Sequence, residues 1–339
     1  MLFKYIMKRL LLGVLVLFGV IVITFIITRV VPSDPVGLLV GENATVAQRE
    51  AITKELGLDQ PILIQFKTYL VNLLHGDLGI SLRTKHDVLT DLKTYIPATM
   101  ELVVYAMLLS ILIGIPLGVI AARYKDKLAD HFTRFITISS ISLPTFVVAL
   151  LLQYIFYGKM GLFPLNGQVD TTVMLMHKVP YVTGWTTVDA LLGGDMVLFK
   201  NALWHLTLPC LTIAFYPIGT VAKQTRAAML ETLGEDYIPA ARSYGLSERV
   251  VLWSYALKNS LSTTITVLAM SFAFTLVNTF LIENIFSWPG IGSYVGNAIT
   301  SLDGPAIMGS TIFAACVYVL VNLVADLIIA VDPRVRLGK

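Results

Sequence analysis

The residues best placed to do work lie in one polar run, 234–253, set between two long apolar stretches. It reads Gly234-Glu235-Asp236-Tyr237-Ile238-Pro239-Ala240-Ala241-Arg242-Ser243-Tyr244-Gly245-Leu246-Ser247-Glu248-Arg249-Val250-Val251-Leu252-Trp253. The pattern predicts two short helices with a break at Gly245. Asp236 can cap the first, Gly245 can close it in the left-handed conformation, and Ser247 can cap the second. A connection that only turns the chain back needs no folded helix pair. The segment therefore reads as a docking surface for a partner protein, through which force is transmitted.

Other chemistries find no residues. There is no Gly-x-x-x-x-Gly-Lys-Ser/Thr loop, so this chain does not bind and hydrolyse ATP by that means. A nucleophile-elbow Gly-x-Ser-x-Gly and a His-Glu-x-x-His zinc motif are both missing. The five histidines, His75, His86, His131, His177 and His205, show no metal-ligand spacing. Both cysteines, Cys210 and Cys316, fall in apolar runs and read as small buried core residues. Coupled carriers place ionisable groups near the bilayer centre. Here only the last span carries one, Asp326, with Asn322 a turn earlier, and it reads as a hydrogen-bonding group within the bundle.

The elements that must position the polar run are membrane spans. The composition is 56% hydrophobic and 14% charged. Six runs lack Asp, Glu, Lys and Arg for 19 to 24 residues, against the roughly 20 that cross a bilayer: 10–28, 102–122, 135–158, 201–222, 259–282 and 304–325. A seventh uncharged run, 284–302, holds Pro289, Gly290, Gly292 and Gly296 and reads as a broken or surface loop. Lys4, Lys8 and Arg9 precede the first span, whose apolar core is too long for a signal peptide, so an uncleaved anchor is expected. Placing the N-terminus in the cytosol puts 15 of the 25 Lys and Arg inside. Both termini and Gly245 are then cytosolic. This bias accounts for the net charge of +3 without nucleic acid. In the outer segment, Thr45-Val46-Ala47-Gln48 is a capping box opening a helix that ends near Gly57. Asp59-Gln60-Pro61 opens a second, closed by Gly76.

The segment Glu235-Asp236-Tyr237 … Ala241-Arg242 … Gly245-Leu246-Ser247-Glu248 … Ala256-Leu257-Lys258-Asn259 resembles the coupling-helix motif of ABC importer permeases, and within them the dipeptide/oligopeptide/nickel family. Supporting motifs run the length of the chain: Leu56-Gly57-Leu58-Asp59-Gln60-Pro61, Gly76-Asp77-Leu78-Gly79-Ile80-Ser81, Glu283-Asn284-Ile285-Phe286-Ser287-Trp288-Pro289-Gly290-Ile291-Gly292, Asn322-Leu323-Val324-Ala325-Asp326 and Asp332-Pro333-Arg334. Where the broader motif begins Glu-Ala-Ala, this chain has Pro239-Ala240-Ala241, leaving Arg242, Glu235 and Asp236 as polar contacts. The loop 159–200 is similar to that of the branch including D-alanyl-dipeptide permeases.

The resemblance implies an all-α polytopic permease with six transmembrane helices, laid out as an anchor over 1–31, an extracytoplasmic helical segment over 32–98, a five-helix core over 99–331 and a cytosolic tail over 332–339. It implies half of a translocation pore in a prokaryotic inner membrane. The partners would be a homologous second permease, two cytosolic ABC ATPases that bind ATP and magnesium, and an extracytoplasmic binding protein; the chain itself would need no cofactor. Glu235, Asp236, Ala241, Arg242, Gly245, Leu246, Ser247 and Glu248 would couple to the ATPase. Glu283, Phe286, Trp288, Pro289 and Gly290 would either gate the outer mouth or anchor the chain at headgroup depth. Ser139, Ser142, Gln153, Thr275 and Asn278 are candidates for the pore wall, with helix–helix hydrogen bonding the alternative. Short peptides are the first choice of cargo, then nickel chelates or oligosaccharides. A stand-alone carrier or channel is the other functional class.

Overall fold

The computed structural model describes residues 2–30, 35–40, 45–55, 57–177 and 180–331. The motif Asp332-Pro333-Arg334, the tail 332–339 and Leu56 lie outside them. Helix α1 (Leu2–Val30) is followed by three short helices, α2 (Pro35–Val40), α3 (Val46–Glu55) and α4 (Ile62–Leu74), and then by the long α5 (Val88–Arg123). Next come α6 (Leu128–Ser142), α7 (Thr145–Leu152), the short α8 (Thr171–Met176) and α9 (Thr186–Leu192), and α10 (Met196–Leu233). The chain closes with α11 (Tyr237–Ser243), α12 (Glu248–Val250), α13 (Leu257–Ile285), α14 (Ile291–Thr300) and α15 (Gly304–Val331). Two π-helical stretches are inserted: Gln153–Lys159 continues α7, and Val251–Ala256 joins α12 to α13.

Among the described residues five helical stretches are long and apolar enough to cross a membrane: Ile6–Arg29, Val88–Arg123, Met196–Leu233, Glu248–Ile285 and Gly304–Leu327. The sixth expected span, 135–158, is not one straight helix. Leu128–Ser142 and Thr145–Lys159 meet at 108°. Pro144 is the cause: its ring disfavours helical backbone at the preceding residue, and Leu143 is extended (φ −84°, ψ 127°). The run 284–302, expected as a loop, forms the ten-residue α14 after a turn, because Ile291, Tyr294 and Ala298 share one buried face. The boundary expected between residues 98 and 99 falls inside continuous α5.

Helix α10 is the hub, buried along most of its length and packed by α5, α6, α7, α9 and α13. Its 38 residues span about 57 Å at 1.5 Å each, well beyond a hydrocarbon core of about 30 Å. Its tightest neighbour is α5. Gly114 and Gly118 face Val221, Ala222 and Thr225, and a Cβ at Gly118 would come within 2.6 Å of the Thr225 side chain. Small residues four apart let two helix backbones approach in this way. A second join is ionic. Arg226 Nε and Nη2 on α10 donate to the two carboxylate oxygens of Asp130 on α6 at 2.6 and 2.8 Å. Arg134 and the Asp126 amide complete the shell of that fully buried carboxylate.

At the periphery α1 lies against α15, tied by an ion pair between Arg9 and Asp326 at 3.1 Å. Asp326 is thus engaged within the bundle. The capping box forms: Gln48 N donates to Thr45 Oγ1 (3.3 Å) and Thr45 N to Gln48 Oε1 (2.9 Å). Phe66 and Tyr69 of α4 pack on Phe25 of α1. Cys210 is buried as expected, but Cys316 is exposed, because it lies on the outer face of α15.

Candidate functional site

The polar run forms a hook at one end of the bundle. α11 ends at Tyr244, and Gly245 takes φ 78°. Leu246 N donates to Ala241 O at 3.3 Å and Gly245 N to Arg242 O at 2.9 Å, the paired bonds of a Schellman turn. The hook is pinned by apolar contacts. Ile238 and Ala241 are buried with Val119 and Ala122 of α5, Met229 of α10 and Val251, Leu252 and Ala256 of the π stretch, and Leu246 packs against the same cluster. Tyr237 is tied to α13, its hydroxyl accepting from Asn259 Nδ2 at 2.6 Å.

Two details differ from the sequence reading. Neither Asp236 nor Ser247 makes a side-chain capping bond. Asp236 already has helical dihedrals (φ −60°, ψ −27°), which turns its carboxylate away from the amides it would cap. The second short helix is also not a separate element. Glu248 begins a helical stretch that runs unbroken to Ile285, because no breaker separates Val250 from Leu257.

The outward face of the hook carries Glu235, Asp236, Arg242, Tyr244, Ser247 and Glu248, all exposed, while Ala241 lies on its inner face. Arg242 Nε donates to Glu248 Oε1 at 2.7 Å, bridging the two sides of the Gly245 turn. Exposed on both partners, that bond contributes at most about 1 kcal/mol and leaves both groups accessible.

At the opposite end the turn between α13 and α14 is buried. Glu283, Phe286 and Trp288 are each 0–2% exposed. The Glu283 carboxylate accepts from Thr99 Oγ1 (2.6 Å), Gly292 N (2.6 Å) and Ser293 N (3.2 Å). Thr99 Oγ1 accepts in turn from Ile291 N at 2.7 Å, and Trp288 Nε1 donates to Ala98 O at 2.9 Å. Residues 98 and 99 of α5 therefore clamp the turn. Gly290 is where Glu283 and Thr99 converge, and a Cβ there would collide with both. Trp288 points into the protein, so it does not anchor this end at headgroup depth. Pro289 follows it and has no amide hydrogen to satisfy.

Sequence reasoning missed the neighbouring clamp. Glu101, also buried, accepts from Thr187 Oγ1 (2.6 Å), Thr187 N (2.8 Å) and Thr186 N (3.2 Å), satisfying the first free amides of α9. Asp189 gathers Thr183 Oγ1 and the amides of Val182, Thr183 and Gly184. Burial opposes its charge, but those four bonds outweigh it and hold the Asp189 carboxyl below the usual carboxylate range. Gly167 N donates to Phe286 O at 2.8 Å, so the two outer connections are bonded to each other.

The pore-wall candidates separate. Thr275 and Asn278 share a small cavity with Thr145, Ile213, Tyr216 and Phe274. Ser142 lines a larger groove, about 480 Å³, between α6 and α10. Ser139 lines neither. Gln153 is no wall residue in this structure: it is buried, with Nε2 donating to Leu165 O at 3.0 Å. His205 is satisfied by Asn201 O at 3.0 Å.

A bundle with an externally presented hook and a clamped turn at its far end matches known sequences along its whole length. Residues 114–337 match the family described as binding-protein-dependent transport system inner membrane component, and residues 2–103 match that family's N-terminal region. The chain belongs to this permease family. The permease is 46% identical over 326 residues to the probable D,D-dipeptide transport system permease protein DdpB of Escherichia coli K12, covering 96% of this chain and 95% of the relative. It is 36% identical over 336 residues to the dipeptide transport system permease protein DppB of Haemophilus influenzae, covering 98% and 99%. To DppB of Escherichia coli K12 it is 34% identical over 338 residues, 99% of each chain. The permease is thus an all-α, multi-pass inner-membrane subunit of an ABC importer, a transport component that works with ATPase and substrate-binding partners.

Proposed function

We propose that this permease forms half of a pore importing short peptides and is driven at the hook by cytosolic ATPases. The hook carries the reading: a polar, exposed face on a helix whose other face is fixed by Ile238 and Ala241 to α5, α10 and the start of α13. A push on Arg242, Tyr244 or Glu248 reaches three spans without passing through a flexible link. ATP and magnesium bind in the partners, two ABC ATPases; a homologous permease supplies the other half of the pore. The Lys and Arg distribution along the sequence, with 15 of 25 in the segments assigned to the cytosol, supports a cytosolic hook and cytosolic termini. The clamped Trp288 turn then faces outward, where it closes the mouth and meets the binding protein. The peptide cargo is supported by the dipeptide permeases to which the chain is similar along its full length.

Co-purification from native membranes tests the assembly: an ATPase pair and a second permease should accompany this chain. Uptake into proteoliposomes should require ATP, the binding protein and a short peptide. A chain that purifies alone and conducts without ATP would overturn the reading in favour of a free-standing carrier.

A further inference from the structure

Helix α4 carries an apolar face that no other described part of the chain covers. Its 13 residues hold one charge, Lys67, and none of them is buried. At 1.5 Å per residue it is about 20 Å long, too short to cross a hydrocarbon core of about 30 Å. Three stripes run along it. Phe66 and Tyr69 form the inner one, against α1. Gln65, Thr68 and Asn72 recur at helical spacing and form a polar one. Leu63, Val71 and Leu74 form an apolar one, with Leu63 79% and Leu74 86% exposed.

What covers the apolar stripe follows from where α4 is seated. The Phe66 ring lies between two rings of α1, 6.4 Å from that of Phe18 and 5.1 Å from that of Phe25. It therefore stands about level with residue 22, roughly 10 Å along α1 from Arg29, which ends the charge-free run of the first span. A second marker fixes that end. A Cβ at Gly304, the first residue of α15, would stand 3.8 Å from Thr28. The two spans thus end at one level, and α4 meets α1 inside it. The chain then climbs back to that level: Gly76 turns it with φ 82°, and Ser81 Oγ donates to Asp303 Oδ2 at 2.6 Å, next to Gly304. α1 itself faces lipid, with only 11% of its apolar span buried. A short helix seated on its flank at that depth has acyl chains beyond it.

We propose that α4 is an interfacial helix in the leaflet away from the hook, its apolar stripe covered by phospholipid acyl chains and its polar stripe turned to headgroups and water. Amphipathic helices lying in the membrane plane sink their apolar face by about 5–10 Å, which agrees with the depth of Phe66. The exposed Lys67 can lay its stem along the chains and bring its ammonium to the phosphates. The partner of this face is lipid, and neither the second permease nor the binding protein sits on it.

The test uses the complete complex in nanodiscs of phosphatidylethanolamine and phosphatidylglycerol, with a nitroxide on one introduced cysteine in a background of Cys210→Ser and Cys316→Ser. The ratio of collision with oxygen to collision with water-soluble chromium oxalate reports lipid against water. At Leu63→Cys and Leu74→Cys it should be as high as at Leu15→Cys, on the exposed face of α1. At Thr68→Cys it should be low, as at Val46→Cys on α3, which carries Arg49, Glu50 and Lys54. Free access of chromium oxalate to 63 and 74 overturns the inference by placing α4 in water. Shielding of both sites from both reagents overturns it in favour of a protein partner. A high ratio at Thr68 as well overturns the interfacial placement, since the polar stripe would then be immersed. If the cysteine background does not assemble, the unaltered complex decides. Irradiation with a phospholipid carrying a diazirine on its acyl chain should leave adducts within Ile62–Leu74 as well as on α1, and adducts on α1 with none on α4 overturn the inference.

Discussion

Replacing Gly245 separates backbone strain from steric conflict. Its φ is 78°, yet a Cβ there would meet nothing within 4 Å. The whole cost of a side chain is therefore conformational: about 1–2 kcal/mol for alanine in left-handed backbone, more for a β-branched residue, and least for asparagine. Relief of that strain requires giving up the two Schellman bonds and withdrawing Leu246 from its cluster, which frees the end of α11. A change of 1–2 kcal/mol shifts the balance between seated and unseated hook by roughly 5- to 30-fold. In membranes, Gly245→Val should speed tryptic cleavage at the exposed Arg242 and Arg249 and lower ATP hydrolysis stimulated by the binding protein. Gly245→Asn should lie near wild type in both assays. Equal behaviour of Val and Asn, or wild-type cleavage in both, would refute the link between this torsion and the seating of the hook.

At the other end, Gly290→Ala would drive a methyl group into Glu283 and Thr99, so a loss of about 1–3 kcal/mol and a lower unfolding midpoint in detergent are expected. Gly296→Ala, whose Cβ would find its nearest neighbour at 3.2 Å, should shift the midpoint far less. Asp130→Asn leaves Arg226 without its carboxylate and should destabilise the bundle by about 3–5 kcal/mol in the same assay, with partial recovery in the Asp130→Asn/Arg226→Met double variant. Because the folded protein holds the Asp189 carboxyl below its ordinary value, its contribution is fully present above the unfolded value near 4 and is lost as pH falls through the folded one. Protection of the Val182, Thr183 and Gly184 amides against exchange, relative to free amides at the same pH, should therefore hold from neutral pH down to about 4 and fall below, whereas in Asp189→Asn it should be low throughout.

The hook was legible because Gly245 needs a torsion that few other residues accept and because a charged run between apolar spans stands out. The spans were legible by length alone, and length is blind to Pro144, so the break between α6 and α7 was read through. Caps at Asp236 and Ser247 were plausible by residue type but depend on torsions that only the packed hook sets. The buried carboxylates were hardest. Glu101 sits at the edge of an uncharged run, and its partner Thr187 is 86 residues away, so no local pattern announces the bond. Trp288 was visible as an aromatic residue in a turn, but its burial depends on Ala98, 190 residues earlier. The glycines at 114 and 118 carried a readable signal, two small residues one turn apart in an apolar helix.

The π stretch Val251–Ala256 fixes a phase relation. A π turn contains about one residue more than an α turn, so each such turn delays the following helix by about 100° of azimuth. The hook is seated on that stretch through Val251, Leu252 and Ala256, while α13 leaves it toward α10. Thr275 and Asn278 look toward Tyr216 because of this offset. With an uninterrupted α-helix beneath a hook held in place, they would swing away toward a different neighbour. The surplus residue acts as an angular setting, cut into the shaft that joins the driven end of the molecule to its interior.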